Sequence, residues 1–174
     1  MVVGMADTQI EEAVDAEKMY SDDDPIETLW VKTFDGEVLG EVLFARMAER
    51  FKDPDHVHKM QALSLLERRT KDALVAPMQR AGLSTEPDAK TIAEAEALAE
   101  ALAEVAWIDF MGSFEPITTQ YAAMYARIGE LDPTEQAIAD LLVAHEMALQ
   151  EFARLERAGK GRTSLSAIEA LPHL

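Results

Sequence analysis

Apolar side chains recur at intervals of three and four residues along most of the chain, which is the period of an α-helix with one buried face. The clearest stripe runs through Met60, Leu63, Glu67, Thr70 and Leu74. Comparable stripes predict four helices, at residues 35–51, 54–81, 105–128 and 132–158. No segment has the alternation typical of a β-strand. The predicted fold class is therefore all-α.

Residues with strong local preferences mark the helix ends. Asp53 precedes Pro54, and an aspartate cap followed by a proline in the first turn is a favourable helix start. Gly82 and Gly129 follow helical stretches, where glycine commonly ends a helix. Asp132 is placed to cap the last helix. These positions support the same four segments.

The connection between the second and third helices is unusually long. Residues 91–104 are rich in alanine and glutamate, which favour helix, and they run directly into the third stripe. One straight helix over residues 91–128 would be about 57 Å long, longer than its neighbours, so a bend is expected. The chain is thus predicted to form a four-helix bundle of two antiparallel hairpins joined by a crossover segment.

Three regions are expected along the chain. Residues 1–30 form an acidic N-terminal arm that includes the run Asp22, Asp23, Asp24. Ile26 and Trp30 are expected to hold the arm against the domain. Residues 31–158 form the helical bundle, and residues 159–174 form a short C-terminal tail.

Composition narrows the classes of function. The formal net charge of −17 disfavours direct binding to nucleic acid or to anionic membranes, because both need basic surfaces. With no apolar run long enough to cross a bilayer and no signal peptide, the expected location is the cytoplasm. The chain has no cysteine, which excludes disulfides and thiolate chemistry. Any metal ion must bind through oxygen and imidazole ligands.

Four ionisable residues fall on the apolar sides of the predicted helices: Glu41, Glu67, Glu115 and His145. Glu41 and Glu67 lie equally far from the turn at Pro54, and Glu115 and His145 lie at nearly equal distances from Leu131. Hairpin geometry therefore places all four at a similar height. Buried carboxylates are costly unless they are paired or bind a cation. These four residues are the predicted metal ligands.

A simpler interpretation stays open for each of these residues. Glu41 and Glu67 could each pair with an arginine or a hydroxyl group, His145 could be a hydrogen-bonded core histidine, and Glu115 could face solvent beside Pro116. Glu37 and Glu146 lie one step from the same centre and are substitute ligands.

One carboxylate on each helix, at matched heights, resembles the ferritin-like superfamily of di-iron carboxylate proteins. The family pattern is Glu, then Glu-x-x-His, then Glu, then Glu-x-x-His on successive helices. Glu41, Glu67 and Glu115 match the three single or leading glutamates, and His145 matches the final histidine. Thr70 stands in place of the first histidine and Leu142 in place of the last glutamate. The ligand set is therefore incomplete.

The resemblance implies a non-haem metal oxidoreductase that holds one or two iron ions, or manganese. The reaction would be a redox reaction with dioxygen or a small molecule, for example oxygenation of a small apolar substrate, and Thr70 would be a hydrogen-bond partner of the ligands. A homodimer is also expected. The alternative is a helical interaction protein that has the bundle but has lost the metal site. A different helical fold with glutamate and histidine ligands, such as a haem-oxygenase-like bundle, also remains open.

Overall fold

The computed structural model describes residues 19–172, and every regular element in that range is helical. The helices are α1 Ile26–Arg50, α2 Pro54–Arg80, α3 Ala89–Ala101, α4 Trp107–Gly112, α5 Phe114–Leu131, α6 Gln136–Arg157 and α7 Ser166–Glu169. Short 3-10 turns occupy Pro133–Glu135 and Gly161–Thr163. This confirms the all-α prediction. None of the helices in the described range is long and apolar enough to cross a membrane. Most of the predicted acidic arm lies outside the described residues.

Helix α1 begins at Ile26 rather than near residue 35, so it takes in the end of the predicted arm. Leu29, Trp30 and Phe34 explain the early start, because all three are buried on the first turns of the helix. Burial of such large side chains stabilises by roughly 2 kcal/mol each. The expectation that Ile26 and Trp30 hold this segment to the domain fits this packing.

The ends of α2 follow their local sequence. The side chain of Asp53 accepts a hydrogen bond from the backbone N–H of Asp55, and Pro54 occupies the first turn. Beyond the last turn Gly82 has a φ of 72°, a left-handed conformation that favours glycine.

The long connection is broken twice rather than bent once. Helix α3 ends at Ala101, and α4 starts only at Trp107. A second break falls at Ser113, because Pro116 in the first turn of α5 has no N–H and its ring clashes with the carbonyl of Gly112 in a continuous helix. Ser113 itself keeps a right-handed helical conformation, with φ −76° and ψ −14°, so the buried stripe of α4 continues across the break into α5.

Two hairpins provide the largest helix contacts. Helix α1 packs along α2, and α5 packs along α6. The hairpins meet where α1 contacts α5 and α2 contacts α6, and α3 lies against α1. The connection thus runs along the outside of the first hairpin.

The core consists of two apolar clusters. The Phe44 cluster contains Leu43, Phe44, Met47, Met60, Leu63, Leu66, Ala99, Phe110, Met111, Phe114, Leu149, Phe152 and Ala153. The Trp30 cluster contains Tyr20, Leu29, Trp30, Phe34, Val38, Leu74, Met78, Met124, Tyr125, Ile128 and Leu142. On α2 and α6, buried polar residues lie between the parts that belong to the two clusters. We call this group the polar layer, and it consists of Glu37, Glu67, Thr70, His145 and Glu146.

A separate buried ion pair lies beside the Phe44 cluster, away from the polar layer. Lys59 Nζ of α2 is 2.7 Å from Glu156 Oε1 of α6. Trp107 Nε1 of α4 donates to Glu156 Oε2 at 2.9 Å. This ion pair connects three helices that are distant in sequence.

Candidate metal centre

Three side chains of the polar layer bring potential metal ligands together. Glu37 of α1, Glu67 of α2 and His145 of α6 each offer one ligand atom, and these atoms lie within 4.8 Å of one another. All three residues are buried, with exposed fractions of 1%, 5% and 1%. They are the only such group of His, Asp and Glu within residues 19–172. The candidate centre is therefore set inside the core.

Two of the four predicted ligands belong to this group, Glu67 and His145. Glu41 lies elsewhere: its carboxylate accepts from Arg68 Nε at 2.8 Å and pairs with Lys71. Glu115 is exposed at the start of α5. The buried stripe of this region runs through Met111, Phe114 and Thr118, and Glu115 lies one position off it.

Glu37, expected only as a substitute ligand, takes the place predicted for Glu41. With α1 beginning at Ile26, its central stripe runs through Trp30, Thr33, Glu37, Gly40, Phe44 and Met47 at steps of three and four. Glu41 lies beside this stripe, where basic side chains of α2 can reach it. Recognising the earlier helix start in the sequence would have revealed the correct phase.

The ring of His145 has a defined orientation. Its Nδ1 lies 2.8 Å from the hydroxyl oxygen of Thr70, and that hydroxyl donates to the backbone carbonyl of Leu66 at 3.1 Å. The other ring nitrogen, Nε2, is 3.3 Å from Glu67 Oε1 without forming a hydrogen bond. One side of the ring is thus occupied by Thr70, and the other side faces a carboxylate.

Glu37 is also held on one side only. Its Oε1 accepts a hydrogen bond from Tyr125 OH of α5 at 3.1 Å. Its Oε2 is buried without a hydrogen-bond partner and lies 4.0 Å from His145 Nδ1. An unpaired buried carboxylate oxygen is costly in a protein core. This oxygen and His145 Nε2 are the two fully buried side-chain atoms of the layer that have no hydrogen-bond partner.

Two glycines of α1 leave space for the layer. A Cβ on Gly40 would come within 2.9 Å of the Glu67 carboxyl carbon, and one on Gly36 within 2.8 Å of the ring of Tyr121. Since real Cβ atoms do not approach so closely, any other residue at either position would displace those side chains. Glycine inside a helix costs about 1 kcal/mol relative to alanine, so close approach explains its presence here.

Burial dominates the electrostatics of the layer. It raises the pKa of Glu67 to about 8; the neighbouring Glu37 carboxyl partly offsets this shift, and the charge of Glu41 adds to it. Burial also raises the pKa of Glu37 and of Glu146 well above the usual range, and the charge of Glu67 adds to both shifts. The pKa of His145 is lowered by burial. The layer therefore holds three carboxyl groups that resist ionisation and one neutral imidazole.

Binding of a cation would remove this penalty. Within the described part of the chain, neither Glu37 nor Glu67 forms an ion pair with lysine or arginine. Two carboxylate oxygens and one imidazole nitrogen are a suitable donor set for a divalent transition ion such as iron, manganese or zinc. The unpaired Glu37 Oε2 and His145 Nε2 are the atoms that such an ion would satisfy.

Comparison of the chain with protein-family models, with curated proteins and with solved structures finds no match in any of the three.

Proposed function

We propose that the protein is a non-haem metal oxidoreductase with ferritin-like architecture, in which Glu37, Glu67 and His145 bind iron or manganese. Helices α1, α2, α5 and α6 would form the four-helix bundle, and α3 would belong to the crossover segment. The observation that carries the proposal is the convergence of three buried donor groups, two of which, Glu37 and His145, each have a fully buried atom without a hydrogen-bond partner in residues 19–172.

The positions of these residues support the ferritin-like part of the proposal. The carboxylates come from the first two helices of the bundle and the imidazole from its last helix, as in the family pattern. Glu37 would take the first position of that pattern, and Thr70 and Leu142 keep the substitutions noted in the sequence. The third helix would contribute the hydroxyl of Tyr125 rather than a carboxylate.

The surroundings support a small reactant. Apolar clusters lie on both sides of the polar layer, so water is largely excluded and charges within it interact strongly. When bound, the ion would supply a redox couple and open positions for dioxygen. Glu37 and Glu67 would balance its charge, while Tyr125 and Thr70 would hold Glu37 and His145 in place. The reactants would be dioxygen and a small apolar compound.

Dioxygen consumption tests this proposal. The protein is loaded with ferrous iron under anaerobic conditions, unbound iron is removed, and dioxygen is then admitted. Ferrous iron is the electron donor and dioxygen the acceptor. We expect the wild type and the exposed-site control Glu115→Gln to consume dioxygen at similar rates. Glu67→Gln and His145→Gln should be slower by at least about tenfold. Equal rates in all four proteins would refute the proposal.

The alternative, a helical interaction protein without a functional metal site, is favoured by the buried leucine at position 142. It predicts a melting temperature that is the same with and without chelator. It also predicts a partner whose binding is lost when residues before Ile26 are deleted.

A further inference from the structure

We propose that Thr70 is a positioning residue of the candidate metal centre, which fixes the tautomer of His145 and thereby limits the centre to one ion. This inference rests on the proposed metal-binding function. Thr70 is buried on α2, one helical turn beyond Glu67, and it reaches across to α6.

The hydroxyl group of Thr70 has only one proton to donate. That proton is directed to the backbone carbonyl of Leu66, which can only accept. The hydroxyl oxygen must then accept from His145, so the ring proton lies on Nδ1. A neutral imidazole with its proton on Nδ1 carries its lone pair on Nε2. This lone pair is on the side of the ring where Nε2 lies 3.3 Å from Glu67 Oε1.

A lone pair beside a carboxylate oxygen is unfavourable unless a proton or a cation lies between them. The missing hydrogen bond at Nε2 is consistent with this arrangement. A divalent cation would accept both the nitrogen lone pair and the carboxylate charge. Thr70 therefore holds the ring in the only tautomer that can bind a metal through Nε2 without losing a hydrogen bond.

The contact between Thr70 and His145 also limits the number of ions that the centre can hold to one. His145 Nδ1 is occupied by Thr70, and Glu37 Oε1 is occupied by Tyr125. Among the three side chains that converge, this leaves Glu37 Oε2, the carboxyl group of Glu67 and His145 Nε2, a donor set that suits one ion. Glu146 is not part of the converging group. At the position of the first histidine in the ferritin-like pattern, Thr70 offers only a hydroxyl group, and that group is already hydrogen-bonded.

Two substitutions separate the hydroxyl from the shape of the side chain. Thr70→Val keeps the branched shape and removes the hydroxyl, whereas Thr70→Ser keeps the hydroxyl. Thr33→Val is the matched control, because Thr33 is also buried and also donates to the carbonyl four residues earlier, Leu29 at 2.8 Å. Circular dichroism and thermal melting establish that each variant is folded.

Two measurements that do not depend on enzymatic turnover test the role of the Thr70 hydroxyl group. Nitrogen NMR of the metal-free protein, labelled at histidine, reports which ring nitrogen of His145 is protonated. Calorimetric titration with Mn²⁺ gives the stoichiometry and the dissociation constant. We expect protonated Nδ1 and one Mn²⁺ per chain for the wild type, for Thr70→Ser and for Thr33→Val. Thr70→Val should lose the fixed tautomer and bind Mn²⁺ about 10- to 100-fold more weakly.

The inference is overturned if the wild type carries its proton on Nε2, if it binds two ions, or if Thr70→Val binds as tightly as the wild type. In the last two cases the proposed metal-binding function would survive. If no variant binds Mn²⁺ or ferrous iron, both the inference and the proposed function fail. A nitrogen spectrum with Nδ1 protonated would then describe only a hydrogen bond of the core.

Discussion

Glu67 links the stability of the metal-free protein to pH. Its pKa is about 8 in the folded protein and 4.5 in its ordinary state, so between these values the folded state binds more protons than the unfolded state. The free energy of unfolding is therefore higher at low pH and falls as the pH rises through 8. One such proton accounts for a fall of up to about 1.4 kcal/mol per pH unit. The pKa values of Glu37 and Glu146 are raised as well, so they change the stability with pH in the same direction as Glu67. The pKa of His145 is lowered, so His145 makes the folded state less stable as the pH falls, and it does so only below about its ordinary pKa of 6.5.

We therefore predict that the free energy of unfolding of the metal-free protein falls between pH 6.5 and pH 8. Glu67→Gln should show a smaller slope and should be more stable than the wild type at pH 8, because it has no charge to bury. Urea titrations in the presence of chelator, followed by circular dichroism at both pH values, measure the difference. Parallel, flat stabilities for both proteins would contradict the prediction.

Gly40 is expected to control the position of Glu67. Alanine there would place its Cβ 2.9 Å from the Glu67 carboxyl group, so Gly40→Ala should weaken Mn²⁺ binding by about tenfold, even though alanine favours helix. Gly112→Ala is the control, because a Cβ on Gly112 meets nothing within 4 Å. Titration calorimetry on both variants tests the prediction, and equal affinities would show that Glu67 is free to move.

At the level of helices, the sequence predicts positions well where a single stripe is unbroken. The stripes of α2 and α6 identify Glu67 and His145 correctly as buried residues, because both lie well inside long helices and Pro77, the proline inside α2, comes ten residues after Glu67. The stripe predicted for α1 passes through Glu41, one position from Gly40 in the observed stripe, because the acidic segment before Ile26 hides the true start of the helix. Glu115 is exposed because the buried stripe of α4 and α5 runs through Met111, Phe114 and Thr118, one position away from it. Adjacent positions on a helix are difficult to separate where the stripe has few large apolar residues.

Height along the helix distinguishes Glu37 from Glu41 less well than rotational phase does. Glu37 and Glu41 are one helical turn apart, so both satisfy an approximate match in height with Glu67. Their environments differ because Arg68 and Lys71 can reach Glu41 but not the central stripe. Long basic side chains on a neighbouring helix are difficult to place from sequence, and so the distinction needs the three-dimensional packing.

The buried pair of Lys59 and Glu156 should be important for joining the helices. Lys59→Ala leaves the Glu156 carboxylate without its cation in the core, and we expect a loss of about 3 kcal/mol in the free energy of unfolding. Lys90→Ala removes an exposed ion pair on α3 and should change stability by less than about 0.5 kcal/mol. Urea denaturation of both variants measures the contrast. Similar small losses would mean that water reaches Glu156 when Lys59 is absent.

For the whole molecule, a bound ion should stabilise the folded state, because its ligands come from three helices that separate on unfolding. Mn²⁺ at 100 times its dissociation constant would contribute about 2.7 kcal/mol, which for a chain of this size is a rise in melting temperature of roughly 5–10 °C. We expect this rise in the wild type and its reversal by chelator. Differential scanning calorimetry tests it, and Glu37→Gln should show little or no rise.

The central claim is that Glu37, Glu67 and His145 together bind a metal ion. Elemental analysis after anaerobic loading with ferrous iron, followed by removal of unbound metal, tests it most directly. We predict one iron per chain in the wild type, in Glu41→Gln and in Glu115→Gln, and a loss of iron in Glu37→Gln, Glu67→Gln and His145→Gln. Iron that is absent from the wild type, or that persists in those last three variants, would contradict the claim.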